Sequence, residues 1–381
     1  MICKDRMMKK PFVTVLMTVY NGGDYLKASV QSILNQTFKD FEFLIVNDCS
    51  TDDSVKTIES FNDKRIIIHN NEKNIGQTKS LNVGLKLAKG KYIARMDADD
   101  MAFPMWLEKL TEYFRNYPDY AAIGSAAIVI DENGKKKEIR RSPISLHEIV
   151  FRIFFAPPMN HVSVFLNKEI IMKNGGYDEN FKITQDYELW SSLIRNGHKL
   201  LNIPDILVAF RVHSRSIGFM EANRKGLEEK SETILRNVNA MTNLKIIFEE
   251  AVDICKLFYH TPELSTEEFK SAQQNFEKIY SNLKEEYIIP RRLVERGIKN
   301  QMLKPYCKLA AFEIQNDMTK RARKTVGEYF RRYGFHPMPF LIYLLTFSGV
   351  RISKKIPRVY EKWLRMTTEI SLLLNRHEKT I

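Results

Sequence analysis

An α/β domain built on a parallel sheet and followed by a mainly α-helical region is the fold class that the 381-residue sequence predicts. Two observations carry this. Through the first hundred residues, short runs rich in Val, Ile, Leu and Phe alternate with stretches of helical periodicity, which is the signature of βαβ units. From about Glu221 onward the pattern changes to long helical stretches with few β-rich runs, which places a boundary near residue 218.

The elements follow in order. Residues 12–19 (FVTVLMTV) read as a strand, and residues 25–36 carry Leu26, Val30, Ile33 and Leu34 at helical spacing. A second strand, FEFLIV at 41–46, runs into Asn-Asp-Cys-Ser-Thr-Asp-Asp, where Ser50 and Asp53 match a capping box for a helix reaching about Phe61. RIIIH at 65–69 is a third strand. Leu81, Leu85 and Ala88 mark the next helix, ended by Gly90, and YIARM at 92–96 is a fourth strand that stops at Asp97. Beyond it we expect a helix over 106–117, strands over 121–130, 162–166 and 206–212, a turn at 131–134 and a helix over 187–195.

Composition narrows the class. Hydrophobic residues make up 44% and charged residues 28%, which suits a globular chain and not a disordered one. Cys3, Cys49, Cys255 and Cys307 show no C-x-x-C spacing, so neither a zinc ribbon nor a dithiol redox site is expected, and a reducing compartment fits. No signal peptide is expected at the N-terminus, because no small-residue cleavage site follows its short apolar stretch. The longest nearly apolar run, 338–350, is well short of the ~20 residues that span a bilayer. A cytoplasmic location follows, with peripheral contact at the inner face of the membrane as an extension of it. Residues 287–381 hold 20 Lys and Arg against 7 Asp and Glu, whereas residues 1–286 hold 39 of each. The whole excess of +13 therefore sits in the last quarter and attracts an anionic partner.

In open sheets, ligands bind at the carboxyl ends of the strands. Three polar clusters fall there: Tyr20-Asn21, Asn47-Asp48 and Asp97-Ala98-Asp99-Asp100. Two carboxylates two residues apart just past a strand can direct oxygen ligands at one hard cation, Mn²⁺ or Mg²⁺. Such a cation would stabilise a nucleotide diphosphate as a leaving group. The competing reading is that Asp99 or Asp100 caps a helix entering at Pro104. Asp48 can accept a hydrogen bond from the ring N–H of uracil or a similar base, or it can simply support its turn. Lys79 and Arg95 are cationic candidates for a diphosphate. Lys79 could equally lie on a solvated helix face, and Arg95, inside a strand, needs a partner. His161 is a candidate contact to a sugar or a structural histidine. The remaining histidines carry no pattern, apart from one in FRVH.

The ordered set of motifs resembles the family 2 glycosyltransferases. PFVTVLMTVYNGGDYLKASVQSILNQTF, FLIVNDCSTDDS and NIGQTKSLNVGLKLAKGKYIARMDADD look like that family's nucleotide-binding half. HVSVFLNKEIIMKNGGYDENF, TQDYELW and FRVH look like its acceptor half. The resemblance spans roughly residues 11–217. It implies a GT-A fold with a Rossmann-type mixed sheet flanked by helices, and inversion at the anomeric carbon by direct displacement. It implies that Thr18, Tyr20, Asn21 and Asp48 hold the nucleoside, that Asp97 and Ala98 contact the ribose or sugar, and that Asp99 and His213 face the metal. Asp186 matches the family's general base. Without the resemblance, Asp186 reads as a helix N-cap. Three positions depart from the family pattern: Gln185 stands where an acidic residue is common, Asn47 replaces an Asp and Cys49 a Gly.

The implied partners are a nucleotide-diphosphate sugar, first among them a UDP-sugar, and a hydroxyl of a glycan or lipid-linked acceptor in cell-surface polysaccharide synthesis. Basic residues interleave with aromatics in residues 321–335 (RARKTVGEYFRRYGF) and 351–365 (RISKKIPRVYEKWLR). That pattern predicts contact with an anionic membrane surface, ahead of packing in a helical bundle or a homo-oligomer. No nucleic-acid-binding module accompanies the charge, so nucleic acid is not an expected partner. Two rivals remain. A nucleotidyltransferase would need a cation-rich phosphate loop, which Asn21-Gly22-Gly23-Asp24 lacks. A catalytically weak glycan- or membrane-binding subunit would not need to keep Asp48, Asp97, Asp99 and Asp186 together. A Rossmann dehydrogenase or methyltransferase is not expected, since no G-x-G-x-x-G follows the first strand.

Overall fold

The computed structural model describes residues 10–214, 216, 224–316 and 318–345. Packing divides the chain into two compact units, Met1–Ile246 and Ile247–Ile381. Helix Arg224–Met241, which the sequence pattern assigns to the C-terminal region, lies in the first.

Nine strands form one mixed sheet in the first unit, ordered β3-β2-β1-β4-β8-β6-β9-β5, with β7 paired to β6. They are β1 (Val13–Val19), β2 (Phe41–Asn47), β3 (Ile66–Asn70), β4 (Tyr92–Asp97), β5 (Met101–Ala102), β6 (Ala122–Ile130), β7 (Lys136–Arg140), β8 (Phe165–Asn167) and β9 (Leu200–Arg211). Strands β3, β2, β1 and β4 are parallel, with Thr18 of β1 opposite Val46 of β2 and Asp97 of β4. Strand β8 runs antiparallel to β4 and β6, while β9 runs parallel to β6. Strand β2 is buried along its whole length, and β1 nearly so. That explains why their sequences are continuous apolar runs and do not alternate.

Among the described residues the α-helices of this unit are α1 (Leu26–Leu34), α2 (Ser54–Glu59), α3 (Gln77–Leu87), α4 (Trp106–Asn116), α5 (Leu146–Arg152), α6 (Lys168–Lys173), α7 (Gln185–Arg195) and α8 (Arg224–Met241). The apolar stripe read from the sequence, Leu26, Val30, Ile33 and Leu34, is the buried face of α1. Aromatic contacts knit α4 to the sheet: Tyr92 and Phe114 lie 4.5 Å apart, Trp106 and Phe165 5.8 Å apart.

Several local expectations are corrected. Ser50 does not start a capping box: α2 begins at Ser54, and the Ser50 hydroxyl accepts a hydrogen bond from the Asn21 amide instead. Residues 162–163 lie in a 3₁₀ turn, so the expected strand shrinks to β8. Strand β9 begins six residues earlier than its β-rich core indicates. Neither Asp99 nor Asp100 caps α4, whose N-cap is Met105.

The second unit contains α9 (Phe248–Tyr259), α10 (Thr266–Ser281), α11 (Arg291–Gln315), α12 (Thr319–Tyr333) and α13 (Pro337–Leu345). Its basic, aromatic helix α12 turns Ala322, Val326 and Tyr329 inward, and a cluster with Cys307, Ala310, Ile314, Met338 and Ile342 forms there. The apolar side of α12 is therefore used inside the unit, as the bundle reading expects, while Lys320, Arg321, Lys324, Arg331 and Arg332 stay exposed. Phe335, Phe340, Leu341 and Leu344 are exposed apolar residues beside that charge. The second basic segment, 351–365, lies outside the described residues. Among the described residues no helix is long and apolar enough to cross a membrane.

Gly90 approaches the backbone of β1 closely: a Cβ there would lie 2.3 Å from the Thr14 backbone nitrogen. Backbone cannot yield as a side chain can. Gly90→Ala should therefore destabilise the protein at the upper end of the about 1–3 kcal/mol typical of overpacking, read as a lower urea midpoint at unchanged slope.

Candidate active site

The parallel strands β1, β2 and β4 deliver their carboxyl ends to one edge of the sheet, and hydrogen bonds fuse the loops that follow. The Asn21 amide donates to Ser50 Oγ at 3.0 Å, and Asn21 Oδ1 accepts from the Thr51 amide at 2.8 Å. The Asp48 amide donates to the Val19 carbonyl. The Asp48 carboxylate is buried and gathers the loop before α3, accepting from Asn71 Nδ2 (2.8 Å), the Ile75 amide (2.9 Å) and the Gly76 amide (2.8 Å). Tyr20 remains 52% exposed on the same rim, and Thr18 is half-buried one strand away from Asp97. Asn47 uses a group that an aspartate lacks, since its amide donates to Asn70 Oδ1 at 2.9 Å.

The acidic cluster lies at the end of β4. Oxygens of Asp97, Asp99 and Asp100 lie within 4.8 Å of one another, in a set able to hold a cation. Burial pushes the Asp100 carboxyl well above the usual range, and the Asp99 and Asp97 charges push the same way. Asp97 is also raised, by burial, against the opposing pull of Arg95. Arg95, 2% exposed, grips both Asp97 oxygens, so the partner demanded by a buried strand arginine is Asp97 itself. The far side is closed by the end of β9. The Arg211 amide donates to Asp100 Oδ1 at 2.6 Å, Arg211 Nε donates to the Asp99 carbonyl at 3.0 Å, and His213 Nε2 lies 2.9 Å from Asp99 Oδ2. The Tyr25 ring packs on both, 4.5 Å from the Arg211 guanidinium and 5.0 Å from the His213 ring.

Gln77, in the first turn of α3, joins this cluster to the second motif. Its Nε2 donates to Asp97 Oδ1 at 3.2 Å, and its Oε1 accepts from Gln185 Nε2 at 3.0 Å. Gln185 thus serves as a donor, a role that an ionised glutamate could not fill, and its own Oε1 is buried with no partner among the described residues. Asp186 follows in the first turn of α7, half-buried, where the helix dipole favours a carboxylate. The N-cap is Thr184, so capping is not what Asp186 does. His161 bonds the Tyr177 hydroxyl at 2.8 Å and packs edge-on to Trp190, and burial, then Arg95, holds its pKa well below the usual range. Lys79 is exposed on α3 and makes none of these contacts.

The sequence model of Glycosyl transferase family 2 matches residues 14–175. An uncharacterised glycosyltransferase of Haemophilus influenzae is 31% identical over 65% of this chain and 81% of its own length. The amylovoran biosynthesis glycosyltransferase AmsE of Erwinia amylovora is 32% identical over 53% and 76%. The chain belongs to the family 2 glycosyltransferases. The fold agrees with this GT-A family. TarS of S. aureus, solved with UDP-GlcNAc, superposes with a TM-score of 0.53 at 16% identity, over 84% of this chain and 90% of that one. The mannosyltransferase PcManGT of Pyrobaculum calidifontis, solved with GDP-Man and Mn²⁺, gives 0.51 at 13% identity, over 85% and 88%.

Sequence reasoning on this glycosyltransferase missed Gln77, Arg211 and Tyr25, which have no local signature. Asp100 stood in the acidic cluster of the sequence without a role of its own beyond a possible cap. Cys49, by contrast, carries a visible signal: it takes φ 63° at a position where the family pattern noted in the sequence has Gly. A left-handed non-glycine residue costs about 1–2 kcal/mol, partly offset by the chain entropy that glycine adds to the unfolded state. Cys49→Gly should therefore gain roughly 1 kcal/mol and raise the calorimetric midpoint by about 2–4 °C.

Proposed function

We propose that this glycosyltransferase moves a sugar from a nucleotide-diphosphate donor to a hydroxyl with inversion, with Asp186 as the general base. The observation that carries the proposal is the hydrogen-bond path from Asp97, in the acidic cluster with Asp99, through Gln77 to Gln185, the neighbour of Asp186. Donor-side and acceptor-side groups thereby belong to one constellation. In the proposed step Asp186 takes the proton of the acceptor hydroxyl. The hydroxyl oxygen bonds to the anomeric carbon, and the bond from that carbon to the diphosphate oxygen breaks, its electron pair leaving with the diphosphate.

The residues present fit a divalent ion. Three crowded carboxylates face one another, and the buried Asp100 Oδ2 has no partner among the described residues. Asp99 and His213, with Asp97 or Asp100, would hold Mn²⁺ or Mg²⁺, which supplies charge stabilisation to the departing diphosphate. Asp48 and the exposed Tyr20 ring, with Thr18 and Asn21, would take the nucleoside, and a UDP-sugar is the first donor to test. Ala98 and His161 flank the sugar position, and Lys79 is the exposed cation for the diphosphate. The relative's role in amylovoran biosynthesis supports an acceptor in cell-surface polysaccharide assembly, either a glycan or lipid-linked. Phe335, Phe340, Leu341 and Leu344 beside Arg331 would meet an anionic membrane surface.

A thermal-shift panel of UDP-, GDP-, dTDP- and CDP-sugars, with and without Mn²⁺, tests the donor site. One nucleotide class should stabilise the protein by roughly 2.7 kcal/mol at about 100 times its Kd, and Asp99→Ala should lose the Mn²⁺-dependent part. No shift with any donor would return the chain to the reading of a non-catalytic scaffold. Asp186→Asn should keep the shift while turnover falls about 10²–10⁴-fold, and turnover at the wild-type rate would remove Asp186 as the base.

A further inference from the structure

Just before Asp186, three consecutive backbone amides, those of residues 182–184, converge on one carboxylate from another helix. Glu229 of α8 is 8% exposed. Its Oε1 accepts from the Lys182 amide at 2.9 Å. Its Oε2 accepts from the Ile183 amide at 2.9 Å, the Thr184 amide at 2.8 Å and Thr184 Oγ1 at 3.2 Å. Helix α7 has no side-chain cap of its own, because the hydroxyl of its N-cap Thr184 points at Glu229. A buried anion set against successive amides at a helix N-terminus is what that end of the helix favours.

We propose that Glu229 is a positioning residue for Asp186, capping α7 from outside and fixing the first turn that presents the base. The inference rests on the reading of Asp186 as general base. The surrounding contacts show why one group suffices. Residues 177–184 are held on one side by α3, where Thr78 Oγ1 donates to the Phe181 carbonyl at 2.7 Å and the Asn82 amide bonds the Tyr177 backbone in both directions at 2.9 Å. On the other side α8 holds them, through Glu229 and through Arg236, which bonds Asp178 at 3.0 Å and lies 5.0 Å over the Phe181 ring. Among the described residues Glu229 is the side chain that accepts from the amides of all three residues leading directly into Gln185 and Asp186. Removing it frees the last stretch of chain before the base while the donor residues on β1, β2 and β4 keep their own contacts. A displacement of about 1 Å at a reacting group can cost 10²-fold in rate.

The test compares Glu229→Gln, Glu229→Ala and Asp186→Asn, singly and as the double variant Glu229→Gln/Asp186→Asn. Turnover is measured as hydrolysis of the nucleotide sugar that gives the largest Mn²⁺-dependent shift in the panel above. Glutamine keeps the shape but turns an NH₂ toward one set of amides, so a drop in kcat of about five- to tenfold is expected, and of roughly 10²-fold for alanine. KM for the donor and the Mn²⁺-dependent shift should stay within about twofold of wild type, and amide exchange over residues 180–187 should quicken. In the Asp186→Asn background, Glu229→Gln should cost less than about twofold, because a base that is absent cannot be misplaced. If the alanine variant does not fold, the isosteric glutamine variant carries the test. The inference is overturned if Glu229→Gln turns over at the wild-type rate, if its effect falls on KM instead of kcat, or if its full cost persists beside Asp186→Asn. Should Asp186→Asn itself remain active, the base assignment fails and takes this inference with it. An inactive Asp186→Asn with a fully active Glu229→Gln sinks the Glu229 role alone.

Discussion

Three carboxylates at the end of one strand repel one another, and much of this protein's architecture answers that repulsion. Asp97, Asp99 and Asp100 crowd a partly buried edge where desolvation already opposes the charge of Asp97 and Asp100. Arg95 reaches Asp97 from within the same strand, and β9 returns to serve the other two. That return is set by the parallel pairing of β9 with β6 and by a two-residue ladder in which Met101 pairs with Ala209 and Ala102 with Val208. Extended backward along the antiparallel register, the ladder sets residues 99–100 beside 210–211, where Arg211 meets both. Because side chains alternate faces, a one-residue slip would turn Arg211 and His213 away from the acids they serve.

Elements whose chemistry is local were legible. The buried strands declared themselves by unbroken apolar runs, and α1 by its stripe. Those missed had another cause. Strand β7, Lys-Lys-Glu-Ile-Arg, is a charged edge strand with almost no buried face, so its pairing with β6 leaves no apolar pattern to read. Ser50 had the identity and spacing of a cap, but its hydroxyl was claimed by a loop 29 residues away. Local grammar offered one correct use of that residue, and tertiary contact selected another.

The site divides along the same line. Asp48, Asp97 and Asp99 could be placed because strand ends in a parallel sheet must gather at one edge. Asp186 and His213 entered only through family resemblance, since nothing within a few residues of either fixes a role. Gln77, Arg211 and Glu229 were invisible for a stricter reason. Each is defined by a partner that is 20 to 112 residues distant, as in the bonds of Gln77 to Asp97 and of Arg211 to Asp99. No periodicity encodes such a distance.

Gln185 shows how a departure from a family pattern can be absorbed. An ionised acid at this position would add another negative charge near three carboxylates, and it would offer Gln77 only acceptors. The amide instead donates to Gln77, which leaves the Gln77 amino group free to face Asp97. Orientation therefore passes from the helix of the proposed base to the acidic cluster without any further charge. The same helix α3 carries Thr78 and Asn82, which hold the loop leading to that base. The acidic cluster and the helix of the proposed base are thus joined through two uncharged amide donors, those of Gln77 and Gln185. Bonds from such donors are less sensitive than ion pairs to pH and salt, so the geometry linking the two halves can persist while the charges around it change during turnover.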